Sequence, residues 1–378
     1  MKCVTPMLRM YHELPLETKL EMKRKGEKQF NKVIPNCEVL GRLEKDENYY
    51  TRIDRINRQL EKKGSLLRYQ LIPCKKCWAC RLNYSADWAT RIMLECEKYE
   101  HNYFITLTYD DEHLPILDKI EYKDSDGNRK TLENDGTFTP TVSPRDVNRF
   151  VNSLRKHFER EGHIGIKYFL AAEYGELNGR PHYHLIIMNC PLPLESFYGL
   201  WRDENYKDHY HNKIIEKIWG KGIVDVALVE WSSAAYVARY GTKLFINSGS
   251  EEDYARLGKH KEFVRMSRNP AIGRDYYNNN VLDILETDEI IMKTVKGNIG
   301  SIKPPKYFDK LNDDTYPEYF NEIKQNRREA ADRAKKILKS KTNISDKELY
   351  ERKAEKLLLK GNMLKRNHTE VERMQRMH

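Results

Sequence analysis

The stretch Arg180-Pro-His-Tyr-His-Leu-Ile-Ile187 decides how this chain is read. Side chains alternate faces along a β-strand, so His182 and His184 point to one side and Tyr183 to the other. Two imidazoles on one face, two residues apart, can grip a single metal ion. One strand histidine is more often a satisfied core residue; two on one face, beside the aliphatic run 185–188, are less easily explained that way. Upstream, residues 166–173 read as a second strand and 175–180 as a turn, so the two runs form a β-hairpin. With the turn centred near Leu177, Glu173 lies directly across from His182, Cβ atoms roughly 5 Å apart. Glu176, in the turn, is the competing carboxylate. Two histidines and one carboxylate suit Mg2+ or Mn2+ with open positions, rather than a closed structural zinc site.

Outward from the hairpin, helical and strand patterns alternate. Residues 103–109 (YFITLTY) are an alternating, β-rich run, and 110–140 read as a long loop or a hairpin excursion. Ser143-Pro144 with Asp146 is a helix start, followed by Val147, Phe150, Val151, Leu154 and Phe158 at helical spacing and stopped by Gly162. Residues 212–219 predict a helix ended by Gly220, 222–230 a strand and 232–244 a helix. Residues 81–99 form an amphipathic helix through Leu82, Ala86, Ala89, Met93 and Cys96. Residues 1–70 are polar and irregular, whereas 320–378 read as solvated helices or a charged tail. The fold class is therefore α+β, a central antiparallel sheet with packed helices. Three segments follow: an N-terminal arm with cysteines and a helix (1–100), the α+β domain (101–250) and a mainly helical, charged C-terminal extension (251–378).

The second chemical feature is Ala235-Tyr-Val-Ala-Arg-Tyr-Gly-Thr-Lys243. Tyr236 and Tyr240 share one helix face, a turn apart. Arg239 and Lys243 flank them and would draw phosphate to the hydroxyls. In a chain with 24 tyrosines two such residues alone are weak evidence; their value lies in company with the histidine strand.

Composition sets the partner class. The net charge is +10 and the pI about 9.0, with 33% charged and 39% hydrophobic residues, which favours a polyanion. No apolar run is long enough to cross a bilayer, so no membrane role is expected. The first residues (MKCVTPMLRMYHELPLETKL) lack a sustained apolar stretch, which predicts a protein of a reducing cytoplasm. Seven cysteines are present, three of them as Cys74-x-x-Cys77-x-x-Cys80, and in that setting the clustering points to Zn2+ rather than disulfides. Cys190 has no partner pattern and reads as core.

Together these segments resemble the His-hydrophobe-His (HUH) endonuclease superfamily, and within it the replication initiators of microviruses of the gokushovirus type. Phe104-Ile-Thr-Leu-Thr-Tyr109 resembles the first motif, a strand supporting the site. Glu173-Tyr-Gly with Arg180-Pro-His-Tyr-His184 resembles the second, and Tyr236-Val-Ala-Arg-Tyr240 the third in its two-tyrosine form. Cys3 with Pro6, the segment 73–88 and Ser267-Arg-Asn-Pro-Ala-Ile-Gly273 also look like the phage branch. The resemblance covers about residues 70–280. It implies a nick in single-stranded viral origin DNA, a 5′-phosphotyrosine on Tyr236 or Tyr240, and a metal held by His182, His184 and Glu173. Arg180, Arg239 and Lys243 would contact phosphate. Work in the host bacterial cytoplasm, with a host polymerase and helicase as partners, is the further implication. Arg239 stands where the superfamily often has lysine; arginine neutralises a phosphate but moves protons poorly, so Lys243 is the alternative proton carrier. A fourth ligand for the cysteine site falls to Cys3, with Cys37 and Cys96 as alternatives. The competing functions are a transposase or relaxase of the same superfamily, a non-catalytic zinc-containing DNA-binding protein, and a packaging factor led by the basic tail.

Overall fold

The computed structural model describes residues 7–34, 49–75, 77–124, 126–175, 178–203, 207–243, 251–293 and 299–342. The chain forms two compact units, Met1–Asn83 with Tyr307–His378 and Tyr84–Lys306. In chain order the elements begin with β1 (Met7–His12), α1 (Leu16–Arg24), β2 (Asn31–Ile34), α2 (Tyr49–Lys62), β3 (Leu67–Ile72) and α3 (Trp78–Cys96). Next come β4 (Asn102–Thr108), β5 (Lys119–Lys123), β6 (Arg129–Glu133), α4 (Pro144–Arg160), β7 (Lys167–Tyr174) and β8 (Pro181–Met188). They continue with β9 (Phe197–Arg202), β10 (Asp208–Asn212), α5 (Lys213–Trp219), β11 (Val224–Leu228), α6 (Trp231–Lys243), α7 (Glu251–Ala255) and β12 (Phe263–Met266). The last are α8 (Arg274–Thr287), β13 (Ile290–Lys293), β14 (Ile299–Ile302), α9 (Lys306–Thr315) and α10 (Pro317–Thr342).

The N-terminal stretch is not irregular, which corrects the reading of residues 1–70. Strands β2, β1 and β3 form a three-stranded antiparallel sheet, with Leu8 opposite both Ile34 and Leu71. Leu8 and Ile53 are buried, and Ile56, Tyr69 and Leu71 pack around them. The Asn57 side chain donates to the Tyr69 carbonyl and accepts from the Tyr69 N–H, both at 2.8 Å, tying α2 to β3. Such a small core needs few apolar residues, so the composition of the stretch hides it. The paired strands also lie far apart in sequence, where a local pattern cannot reveal them.

The second unit is built on seven antiparallel strands in the order β12-β7-β8-β4-β11-β10-β9, the α+β class expected. The histidine strand β8 is interior to this sheet, and its residues Leu185 to Met188 are all fully buried. Alternation then sorts its side chains. On one face Tyr183, Leu185 and Ile187 join Ile105, Leu107, Leu170, Val224 and Val226 under Phe150, Leu154 and Phe158 of α4 and Trp219 of α5. On the other, Ile186 and Met188 join Phe169 and Ala171 under Ala89 and Ile92 of α3 and Ala234, Ala235, Val237 and Ala238 of α6. Three alanines let α6 approach this second face, the one that carries the histidines.

Local chemistry sets the ends of the elements. Ser143 Oγ accepts from the Asp146 N–H at 3.1 Å and Pro144 opens α4, as the sequence predicts. Asn212 caps α5 by accepting from the N–H groups of Ile214 and Ile215, both at 3.1 Å, and Gly220 ends it in the left-handed region at φ 59°. Gly222, at φ 148°, approaches β4 so closely that a Cβ would stand 2.5 Å from Thr108 O and Asp110 N. Residues 110–140 contain the β5–β6 hairpin, and α3 begins at Trp78, so Cys80 falls in its first turn.

A buried ion pair clamps α3 to the sheet. Lys167 Nζ on β7 lies 2.7 Å from Glu95 Oε1 and 3.3 Å from Asp275 Oδ2, while Glu95 Oε2 accepts from the Gly273 N–H at 2.7 Å. Removing one partner of such a pair leaves a buried charge, at a cost of about 3–5 kcal/mol. Among the described residues no helix is long and apolar enough to cross a membrane.

Candidate active site

The β7–β8 register pairs Glu173 with His182 and Ala171 with His184. Since directly opposed residues share a face, Glu173, His182 and His184 converge on the α3/α6 side of the sheet. His182 Nε2 lies 2.7 Å and His184 Nε2 2.9 Å from the same oxygen, Glu173 Oε1. Glu173 and His184 are buried and His182 is part-exposed. The three donor atoms lie within 4.8 Å of one another. Glu176 and Leu177 of the turn are outside the described residues.

The second ring nitrogens show which lone pairs are on offer. His182 Nδ1 lies 3.2 Å from the Arg180 carbonyl, which only accepts, so that nitrogen carries the hydrogen and Nε2 presents its lone pair. His184 Nδ1 lies 3.1 Å from Thr106 Oγ1 on β4, which pairs directly with His184. With the hydroxyl accepting from Nδ1, His184 Nε2 is a lone pair as well. Three lone-pair atoms aimed at one point repel unless a proton or a cation lies among them. Two donors bound at right angles to one ion at about 2.1 Å stand roughly 3 Å apart, close to the observed spacings. The donor set thus fits a hard divalent cation with positions left open. Burial pushes the Glu173 carboxyl up, but hydrogen bonds and charge from His182 and His184 outweigh it and hold the group below the ordinary carboxylate range.

Helix α6 brings a tyrosine to this cluster. The Tyr236 ring meets His184 at 5.2 Å between centroids and 78°, and meets Phe104 edge-on at 6.2 Å. Phe104 in turn stacks on His184 at 5.8 Å and 11°. Tyr240 and Lys243 lie on the same helix, their side chains outside the described set, and Arg239 is part-buried. Tyr183 is the contrasting tyrosine. Although between the two histidines in sequence, it faces the opposite side, fully buried, and its hydroxyl accepts from the Ser143 N–H at 2.6 Å. Burial pushes its phenol well above the ordinary value. Position on the sheet, not sequence proximity, selects Tyr236 as the tyrosine facing the cluster.

Arg180 is already engaged. Its Nη1 lies 2.6 Å from Asp111 Oδ1 and its Nη2 donates to the Tyr109 carbonyl at 2.8 Å. Cys74, Cys77 and Cys80 are brought together, with their sulfurs within 4.8 Å of one another, whereas Cys3 is outside the described residues. The sequence marks Thr106 and Phe104 only as parts of a supporting strand. The signal for each as a neighbour of His184 is its register opposite β8, which no local pattern reports.

The comparisons with known proteins agree with this assembly. The family model for replication-associated protein ORF2 matches residues 102–245, the stretch from β4 through α6 that carries all these elements. Replication-associated protein ORF2 of Spiroplasma virus 4 is 34% identical over 292 residues, 74% of this chain and 83% of that protein. This chain belongs to the family of microvirus replication-associated proteins. Its relatives include replication-associated protein VP4 of Bdellovibrio phage phiMH2K, 30% identical over 54% of this chain and 56% of that one. Replication-associated protein ORF4 of Chlamydia phage 1 is 25% identical over 64% of this chain and 53% of its own length. No solved structure matches this microvirus replication protein.

Proposed function

We propose that this replication-associated protein is an HUH-type endonuclease that nicks single-stranded viral origin DNA through a tyrosine and so starts rolling-circle replication. The observation that carries the reading is the packing of Tyr236 against His184, one ligand of a Glu-His-His cluster. The activity is assigned to residues 101–250. Glu173, His182 and His184 would hold Mg2+ or Mn2+, which polarises the scissile phosphate and offsets charge building on its non-bridging oxygens. The Tyr236 or Tyr240 hydroxyl attacks phosphorus, forming a P–O bond to tyrosine and breaking the bond to the 3′-oxygen. The products are a 5′-phosphotyrosine and a 3′-oxygen that takes up a proton, ready for extension by a host polymerase after unwinding by a host helicase. A phenol of ordinary pKa, about 10, is protonated at neutral pH, so its proton must leave as the new bond forms. Arg239 and Lys243 sit on the same helix to neutralise the phosphate. While one tyrosine holds the DNA end, the other can cut the regenerated origin, and the freed 3′-OH reverses the first linkage to close a circle.

The test is a covalent adduct. Labelled single-stranded origin DNA and Mn2+ are mixed with wild type, Tyr236→Phe, Tyr240→Phe and the double variant, then run on a denaturing protein gel. A metal-dependent, label-bearing band that is lost only in the double variant is expected. Salt-sensitive DNA binding with no adduct on any origin fragment would sink the endonuclease reading in favour of a binding protein.

A further inference from the structure

The cysteines of the first unit carry an inference that the nicking reaction does not use. We propose that Cys74, Cys77 and Cys80 bind one Zn2+ ion as thiolates. The three sulfurs lie within 4.8 Å of one another, and thiolates bound tetrahedrally at about 2.3 Å stand roughly 3.8 Å apart, a difference that side-chain rotation can close.

The backbone between β3 and α3 is shaped for this. Lys75 takes a left-handed conformation at φ 64°, which turns the chain between Cys74 and Cys77. The Cys77 N–H donates to Cys74 Sγ at 3.2 Å, a bond that strengthens as the sulfur gains negative charge. Cys80 stands in the first turn of α3, where the helix dipole favours an anion. Arg81, whose charge interacts with Cys77, adds a cation beside the group.

The other described cysteines differ in each respect. Cys96 lies sixteen residues beyond Cys80 on α3, about 24 Å along the helix, so it is removed as a fourth ligand. Burial pushes its thiol up to about 12 and pushes that of Cys190 up as well, so both stay protonated. Both fill apolar core, as expected for Cys190. Cys3 and Cys37 fall outside the described residues. Donor chemistry separates this site from the Glu173–His182–His184 cluster: soft thiolates select zinc, whereas a carboxylate with two imidazoles also accepts Mg2+ or Mn2+.

Elemental analysis of the full chain, purified without chelator, is the experiment. About one zinc per chain is expected in wild type, in Glu173→Gln and in Cys96→Ser. Cys74→Ser, Cys77→Ser and Cys80→Ser should each retain roughly a tenth of it or less after dialysis. Because such variants can misfold, a thiol-specific mercurial is also titrated into wild type, where zinc release should track thiol loss. The proposal is overturned if reduced wild type neither contains nor takes up zinc. A Cys77–Cys80 disulfide in place of zinc would overturn it too. So would zinc that remains in the cysteine variants but leaves with Glu173→Gln.

Discussion

The Glu173–His182–His184 cluster and the cysteine trio assemble donors in opposite ways. The first takes its ligands from two strands inside a seven-stranded sheet, so its geometry follows from register and from the packing of α3 and α6 over it. The second takes all three sulfurs from seven consecutive residues at a strand-to-helix turn. A sheet that is stable for other reasons holds its donors in place without an ion. A turn has far less holding it, so metal bound there contributes to local folding. The two sites should therefore respond differently to loss of their metals.

The largest expected effect separates them directly. His182→Ala should lower adduct formation about 10²–10³-fold, several kcal/mol of transition-state stabilisation, without changing zinc content or the melting temperature by more than a few degrees. Cys77→Ser should do the reverse, losing zinc and thermal stability while short-oligonucleotide cleavage at 25 °C stays within roughly tenfold of wild type. Equal loss of both properties in both variants would break the distinction.

A smaller effect sharpens how the sheet positions the first site. Thr106→Val deletes the hydroxyl 3.1 Å from His184 Nδ1, and about 10–100-fold weaker Mn2+ binding is expected by titration calorimetry. Unchanged affinity would mean that packing against Phe104 and Tyr236 orients the ring by itself.

Acidification gives the next test. Glu173 is held below the ordinary carboxylate range, so its contribution to stability is present above that range and is lost only as pH falls through the lower folded value. It should stay ionised while imidazoles, ordinarily near 6.5, take up protons. Mn2+ affinity should fall steeply below roughly pH 6.5, with no change in fold by circular dichroism until far lower pH. Loss of fold together with affinity near neutrality would contradict this assignment.

The smallest effect belongs to Arg180. Its ion pair with Asp111 is well exposed, so Arg180→Ala should alter stability by less than about 0.5 kcal/mol. If the side chain also meets a phosphate, DNA affinity falls evenly across sequences and the salt slope drops by about 1. An unchanged slope would leave it a purely structural residue.

Much of the first site is legible because a strand's period is short. Two histidines two residues apart must share a face, and a hairpin turn near Leu177 is enough to set Glu173 opposite His182. The caps Ser143 and Asn212 and the stop at Gly220 are readable for the same reason, each acting within a single turn of helix. The three-stranded N-terminal sheet escapes such a reading because its strands are short, polar outside and paired with distant partners. Strands β9 and β10 escape it likewise, and a register shift between His209 and His211 breaks their alternation further.

By itself, the sequence determined which side chains share a face, where helices begin and end, that the chain carries +10, and that three thiols cluster. These are consequences of backbone geometry and composition over a few residues. Only the tertiary structure decided that Thr106 meets His184, that Tyr236 and not Tyr183 faces the cluster, and that Cys96 cannot join the other cysteines. Those outcomes depend on which strands pair and which helix covers which face, and burial of the whole core settles that choice.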